Sequence, residues 1–338
     1  MAAPTKTFTI KKMGTIFNLK IQSSKYSESW IEEITSLLEE LEESWSRFRE
    51  SSELSRLNRD RHLDSPTEIF KLALKASINA NEMTGGVFEP RILKALENIG
   101  YDRTFNTISP TSFEIETSRP ISLPPIRDDI LITPNQITIR SDARIDFGGI
   151  GKCLAIQEVS SWITHQDTDS SFLIDAGGDI IARSSSGQPC WYIDIEDPNK
   201  SRPLSFWIRI ANGAVATSSP SIRNWKSGAK VKHHLIDPKT MDSSTSDLAS
   251  VTVVGKVASE CEVWSKSLFL MGKEKGAALA EIKKIAAIFI DHKSNVEATT
   301  TFDRYIEVRG ESVTAANCAE HTDFSSPLSN FTYIHLVH

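Results

Sequence analysis

At 338 residues, 39 % hydrophobic and 24 % charged, the chain has ordinary soluble globular composition and is long enough to bury a full core. Its 38 basic against 44 acidic residues leave a net charge of −6, which argues against a broad nucleic-acid or anionic-membrane surface built on clustered Lys and Arg. No apolar run approaches membrane-spanning length and "MAAPTKTFTIKKMGTIF" lacks a secretory apolar core, so a cytoplasmic chain without a membrane anchor is expected.

The opening "TFTIKKMGTIFNLKIQS" alternates apolar and polar residues, predicting a hairpin that bends at Met13-Gly14. An amphipathic helix follows, with Trp30, Ile34, Leu37, Leu38, Leu41 and Trp45 on one stripe and Ser29 with Glu32 as a capping box. Its acidic run "EELEESW" reads as a solvated face. In a second helix, Ser65-Pro66-x-Glu68 supplies the cap, the first-turn proline and the box partner. Ile69, Leu72, Ala73, Ala76, Ala80 and Met83 form its expected inner face, and Thr84-Gly85-Gly86 ends it.

Further on, "ILITPNQITIR" predicts a hairpin around Pro134-Asn135, and a short strand then ends at Asp146. From there "RIDFGGIGKCLAIQEVSSWI" runs through Gly148, Gly149 and Gly151 to Lys152, and into a helix carrying Ala155, Val159 and Ile163. Glycines before a helix let the backbone approach a ligand, and the helix start offers N–H groups to an anion. The spacing matches neither the P-loop nor the dinucleotide fingerprint, and a tight packing turn is the alternative. "FLIDAGGDIIA" repeats the pattern, with Asp175, Gly177 and Gly178 in place of Asp146, Gly148 and Gly149. The two turns could line opposite sides of one cleft, or Asp146, Asp175 and Asp179 could form an oxygen-ligand cation site.

Strands are expected at "WYIDIED", "SFWIRIAN", "AVATSS", "HHLIDP" and "SVTVVGK", a helix over 258–271, and a last strand pair from "IAAIFI" and "RYIEVR". Hairpin-joined strands with interspersed helices predict an α+β fold of mostly antiparallel sheets flanked by helices. One folded unit over 1–313 is expected, with its best internal boundary at 118–129 and a polar tail over 314–338. Cys153, Cys190, Cys261 and Cys318 lie too far apart for a zinc motif and read as four free thiols. His233 and His234 would face opposite sides of a strand, so one enters a pocket and the other does not. Glu262 and Lys266 have the spacing of a helical surface ion pair, worth about 0.2–0.5 kcal/mol. Trp30, Trp45 and Trp264 fall on helical stripes and are expected in the core, and Asp237 is expected to bond nearby backbone.

In chain order, "MGTIFNLKI", "WSRFRESSELSRLN", "GVFEPRILKALENIGY", "IDFGGIGK", "FLIDAGGDI", "GAVATSSPSIRNW", "HHLIDPKTM" and "LASVTVVGKVASECEVWSKSLFLMG" resemble the signatures of the FAD:protein FMN transferases, the ApbE-like family. The resemblance covers roughly residues 9–310. It implies an ApbE-like, T-fold-related architecture with a ligand cleft between two halves. It also implies an enzyme that binds FAD, cleaves its pyrophosphate with Mg²⁺, and joins FMN by a phosphoester to a Thr or Ser of an acceptor flavoprotein, releasing AMP. Carried over by position, Met13, Phe48, Val87, Phe88, Glu89, Asp146, Gly148, Lys152, Thr217, Ser218, His234 and Ile236 would contact FAD. Glu262, His234 and Lys152 would be catalytic, with Glu262 as the base, and the metal would lie at Gly149, Glu262, Ser265 and Lys266.

Several positions depart from the family pattern. Glu262 replaces an Asp and Lys266 a Thr; Glu89 replaces another Asp and Arg91 another Thr; Cys153 and Ser219 replace glycines. A charged lysine has donors and no acceptor, so it cannot ligate Mg²⁺. Beside the transferase therefore stand an FAD carrier that transfers nothing, an FAD pyrophosphatase, and a fold that has lost its ligand. A further reading of Lys266 has its ammonium touch the pyrophosphate where the metal charge would be.

Overall fold

A computed structural model describes residues 5–103, 123–185, 190–199, 206–308 and 333–334. Strands β1 (Thr5–Lys12) and β2 (Thr15–Gln22) form the expected hairpin, with Met13 and Gly14 left-handed at φ 52° and 64°. Two successive left-handed residues give the tight bend that suits twisted strands. Helices α1 (Ser29–Trp45) and α2 (Glu53–Asp60), strand β3 (His62–Asp64), and helices α3 (Glu68–Met83) and α4 (Leu93–Asn98) follow. The short α5 (Ile126–Asp129) leads into β4 (Ile130–Ile132) and β5 (Gln136–Ile139), which join β3 in a sheet of order β3-β5-β4.

Next come α6 (Gly151–Gln166), β6 (Ser171–Ala176), β7 (Ile180–Arg183), β8 (Trp191–Asp194), β9 (Phe206–Ile210) and β10 (Asn212–Ser218). Two hairpins, β11 (Asn224–Ser227) with β12 (Lys230–His233) and β13 (Ile236–Asp237) with β14 (Asp242–Ser243), lead to β15 (Leu248–Gly255). The chain goes on through α7 (Ala258–Met271), α8 (Lys273–Lys283), β16 (Ala286–Asp291), β17 (Val296–Ala298), β18 (Ile306–Val308) and β19 (Tyr333–Ile334).

The central sheet has the order β1-β2-β6-β7-β10-β15-β16-β17, with antiparallel pairing throughout. Side chains alternate across it. Phe17, Phe172, Ile174, Val251 and Phe289 face a core shared with Leu38, Phe70, Ile156 and Leu268 of the helices. Leu173, Val215, Val254 and Ile288 face the other way, onto Ile193 and Ile208 of a second sheet, β18-β9-β8-β19. A strand covered on both faces favours apolar residues at every position, which explains the unbroken run "AAIFI"; in β15 the buried Thr252 is accommodated by a hydroxyl pair with Thr217. No helix among the described residues is long and apolar enough to cross a membrane.

Several local expectations are corrected. The Ser29–Glu32 box does not form: the N-cap of α1 is Glu28 and makes no side-chain cap. In α3 the cap is Thr67 rather than Ser65, its Oγ1 accepting from Phe70 N at 3.1 Å. The inner face of α3 is turned as well, with Leu72 and Met83 exposed and Phe70, Leu74 and Ile78 buried. Apolar residues surround this helix, so periodicity allowed two stripes and packing of the larger side chains chose one. The acidic run of α1 is not merely solvated, because Glu39, Glu42 and Glu43 gather around Arg49, and Glu39 also binds Lys12. The strands from "IAAIFI" and "RYIEVR" do not pair: β16 lies between β15 and β17, whereas β18 joins β9 in the other sheet. Helices α2 and α8 and the β11–β12 hairpin carry no expectation from the sequence.

Chain on both sides of the 118–129 segment builds one core, since β3 pairs with β5. Residues 118–122 of that segment, Cys318, and the tail over 314–338 apart from β19 lie outside the described residues.

Candidate active site

The segment before the glycine turn is not a strand. It forms no ladder, its backbone held by the Asn58 side chain of α2 and by the 90–93 stretch, where Asp146 N donates to Pro90 O at 2.8 Å. Asp146 then organises the turn. Its Oδ1 accepts from Gly148 N at 2.7 Å, and its Oδ2 pairs with Arg47 Nε at 2.9 Å. A Cβ at Gly148 would stand 2.6 Å from Asp146 Oδ1; one at Gly149 would stand 3.2 Å from Phe88 and 3.3 Å from Lys266 Cε. A side chain at Gly148 would displace Asp146, and one at Gly149 would press on Phe88 and Lys266.

This turn lines a cavity of about 390 Å³, within the usual size range for small-molecule sites. Its lining includes the rings of Phe48, Tyr101 and Phe88, with Met13 of the hairpin bend. The Arg47 guanidinium stacks 4.3 Å from the Phe48 ring centroid and 4.5 Å from that of Tyr101, fixing both planes. The same lining carries the cationic side chains of Lys152, Lys266 and Arg223, with His234, and Lys266 comes close to Phe88 across Gly149. Among the described residues the Arg223 side chain has no ion-pair partner.

Two of these cations are paired with buried acids. Lys152, in the first turn of α6, binds Asp179, which follows the second glycine turn. Lys266 Nζ is 2.7 Å from Glu262 Oε1, one turn earlier on α7. The ligand atoms of Cys153, Asp179 and Glu262 lie within 4.8 Å of one another, all buried. Burial, reinforced by Glu262, lifts Asp179 to about 6. Burial opposes ionisation of Glu262 too, but Lys266 and Lys152 outweigh it and hold that carboxyl below its usual range. For Lys152 burial opposes the charge, and Asp179 and Glu262 restore it. Burial first, then the charges of Arg223 and Lys266, push His234 well below the ordinary histidine value, leaving it neutral at pH 7.

Of the expected contact residues, Met13, Phe48, Val87, Phe88, Glu89, Asp146, Gly148, Gly149, Lys152, His234, Ile236 and Lys266 line the cavity. Thr217, Ser218, Ser265 and Glu262 do not. Thr217 pairs with Thr252 at 2.8 Å, and Ser218 with Ser265 at 2.9 Å, in the packing behind Lys266. Glu89 lines the cavity with its carboxylate gripped from behind by Arg91, at 2.8 and 2.9 Å. The Glu262–Lys266 pair forms as spaced, but it is buried rather than at the surface.

The two glycine turns are not equivalent: Asp146 lines the cavity, whereas Asp175 accepts from Gly178 N and Asn18 and lies outside the lining. Asp146, Asp175 and Asp179 hold separate partners and do not converge, so they form no cation site. His233 turns away and bonds Ser244 O, while His234 enters the cavity. Asp237 accepts from Lys239 N. Arg47, Tyr101 and Arg223 were not foreseen. The only sequence signal for Arg47 was its place beside Phe48, and no signal pointed to Arg223.

A family model described as the ApbE family matches residues 13–289. The FAD:protein FMN transferase of Haemophilus influenzae is 24 % identical over 316 residues, spanning 88 % of this chain and 91 % of that protein. The Vibrio cholerae protein of the same name is 28 % identical over 291 residues, spanning 82 % and 85 %. Among solved structures, the ApbE protein of Thermotoga maritima superposes with a TM-score of 0.78 at 21 % identity, covering 89 % of this chain and 99 % of that one. The flavin transferase ApbE of Vibrio cholerae gives 0.71 at 24 % identity, covering 89 % and 100 %.

Proposed function

The chain belongs to the ApbE family, and from that premise we propose that it is an FAD:protein FMN transferase, moving FMN from FAD to a Thr or Ser hydroxyl of an acceptor flavoprotein with release of AMP. The observation that carries this reading is the make-up of the cavity lining. Aromatic rings, a glycine turn and the cationic side chains of Lys152, Arg223 and Lys266 line one cavity. A flavin dinucleotide calls for both kinds of contact, with flat rings at its ends and a diphosphate between them.

Transfer requires the acceptor oxygen to attack the FMN phosphorus while AMP departs, so negative charge builds on the phosphate oxygens. Positioning and charge compensation are the main contributions a protein makes to such a step. Lys152, steadied by Asp179, and Arg223 are the residues we assign to that compensation, with Gly148 and Gly149 giving backbone access. His234 directs Nδ1 at Arg223 O, 3.3 Å away, which leaves Nε2 as the lone-pair nitrogen. A bound diphosphate would raise the basicity of that ring, suiting it to take the acceptor proton. Glu262 lies behind the cavity wall, so its assigned role here is to hold Lys266.

Mg²⁺ is the metal that the family resemblance implies. It demands a near-octahedral set of oxygen ligands. The donors that converge here are one thiol and two carboxylates, each carboxylate already bound to an ammonium group. This donor set does not fit Mg²⁺, and no step above uses it. The buried thiols of Cys153 and Cys261 suit a reducing compartment, in keeping with the cytoplasmic setting expected from the sequence.

The test is incubation of the protein with FAD and a target bearing the acceptor hydroxyl, following AMP release and flavin fluorescence on the denatured target. Fluorescent target supports the transferase. AMP without labelled target means a pyrophosphatase, and bound FAD with neither product means a carrier.

A further inference from the structure

Lys266 reaches the cavity from α7, with its Cε beside Gly149 and its ammonium 2.7 Å from the Glu262 carboxylate. Its side chain keeps only 14 % of its exposure and that of Glu262 only 6 %, so the pair is held in place rather than sampled from solvent. Lys152 is anchored to Asp179 in the same way, a few residues past the glycine turn. Each buried acid thus carries its own cation, and Arg223 adds another that lacks an acid partner among the described residues. The third group of the cluster, Cys153, is a fully buried thiol, a soft donor that does not suit a hard cation such as Mg²⁺. A divalent ion entering here would meet two ammonium groups and displace both from their acids. The local charge is already set for an anion.

We propose that the Lys266 ammonium, fixed by Glu262 against the Gly148–Gly149 turn, supplies the positive charge that a divalent cation would otherwise supply to the diphosphate, so that this chain binds FAD without a metal ion. The inference rests on the reading of the cavity as a flavin-dinucleotide site. Lysine suits the task because a compact ammonium on a flexible stem can keep one hydrogen bond to Glu262 and give another to a phosphate oxygen.

The test is FAD affinity of the full chain, followed by flavin fluorescence, in excess EDTA and in millimolar Mg²⁺. The expected result is a Kd that differs by less than twofold between the two conditions. The Glu262→Gln/Lys266→Met double variant, which removes both charges and leaves no unpaired acid, should weaken binding at least tenfold in either buffer while its thermal unfolding stays cooperative. Binding lost in EDTA and regained with Mg²⁺ overturns the inference and leaves the cavity reading intact. That comparison needs no variant to fold. Failure of FAD to bind in both buffers overturns the cavity reading and this inference with it.

Discussion

Asn58 grips the backbone of Ile145 twice, donating Nδ2–H to its carbonyl at 2.8 Å and accepting its N–H on Oδ1 at 2.7 Å. The side chain stands in for a neighbouring strand, which is why the segment before the glycine turn needs no ladder. A helix thus sets the height of the turn that lines the cavity.

Asn58→Ala should be costly for its size. It leaves two buried backbone groups unpaired, at about 1–3 kcal/mol each. Urea unfolding should report a loss of about 2–6 kcal/mol for the two groups together, and FAD affinity should fall as the turn loosens. A loss below about 1 kcal/mol would mean that water replaces the amide.

Glu89, Arg91 and Asp129 form a second buried network, with Arg91 Nη1 2.7 Å from Asp129 Oδ2. Where the family pattern has Asp and Thr, this chain has Glu with Arg91 here and Glu with Lys266 on α7: twice an acid is lengthened and a hydroxyl becomes its cation. Arg91→Met strands two buried carboxylates and should cost about 3–5 kcal/mol, read by thermal or urea unfolding. Adding Glu89→Gln and Asp129→Asn should recover much of that loss. If the triple variant is no more stable than Arg91→Met, charge is not the cause.

His234 gives the stability profile an acid limb. Its pKa in the folded state lies well below the 6.5 of an unfolded histidine, so below about pH 6.5 the unfolded chain binds the extra proton and stability falls as pH drops. His234→Gln should therefore lose less stability than the parent between pH 7 and pH 5, measured by denaturation at fixed temperature. Parallel profiles for the two proteins would show that the ring titrates as if exposed.

Burial pushes the thiols of Cys153 and Cys261 upward. In the native protein at pH 8 both should resist iodoacetamide over hours and react only in denaturant, which peptide mass spectrometry resolves site by site. Rapid native labelling of Cys153 would mean that the start of α6 opens readily.

Gly148→Ala tests the turn itself. Its new Cβ would fall 2.6 Å from Asp146 Oδ1, so Asp146 must leave either the turn or Arg47. FAD affinity should drop at least tenfold with only modest loss of thermal stability, because the position is a loop at the cavity edge. Unchanged affinity would detach this turn from the ligand.

The sequence by itself determined the local order. Alternation marked the β1–β2 hairpin, a left-handed Met13-Gly14 pair suited its bend, and the stripe Trp30, Ile34, Leu38 and Leu41 marked α1. The ordered motifs gave the family, and through it most of the cavity lining. Tertiary structure decided what depends on contacts between distant segments. It turned α3 onto Phe70 and Leu74, sent β16 and β18 to different sheets, and made Asn58 do the work of a strand. It also buried the Glu262–Lys266 pair, which spacing alone would leave on the surface. Periodicity records which residues share a face, whereas the charge a buried site will accept depends on which side chains the packed chain brings within a few ångströms.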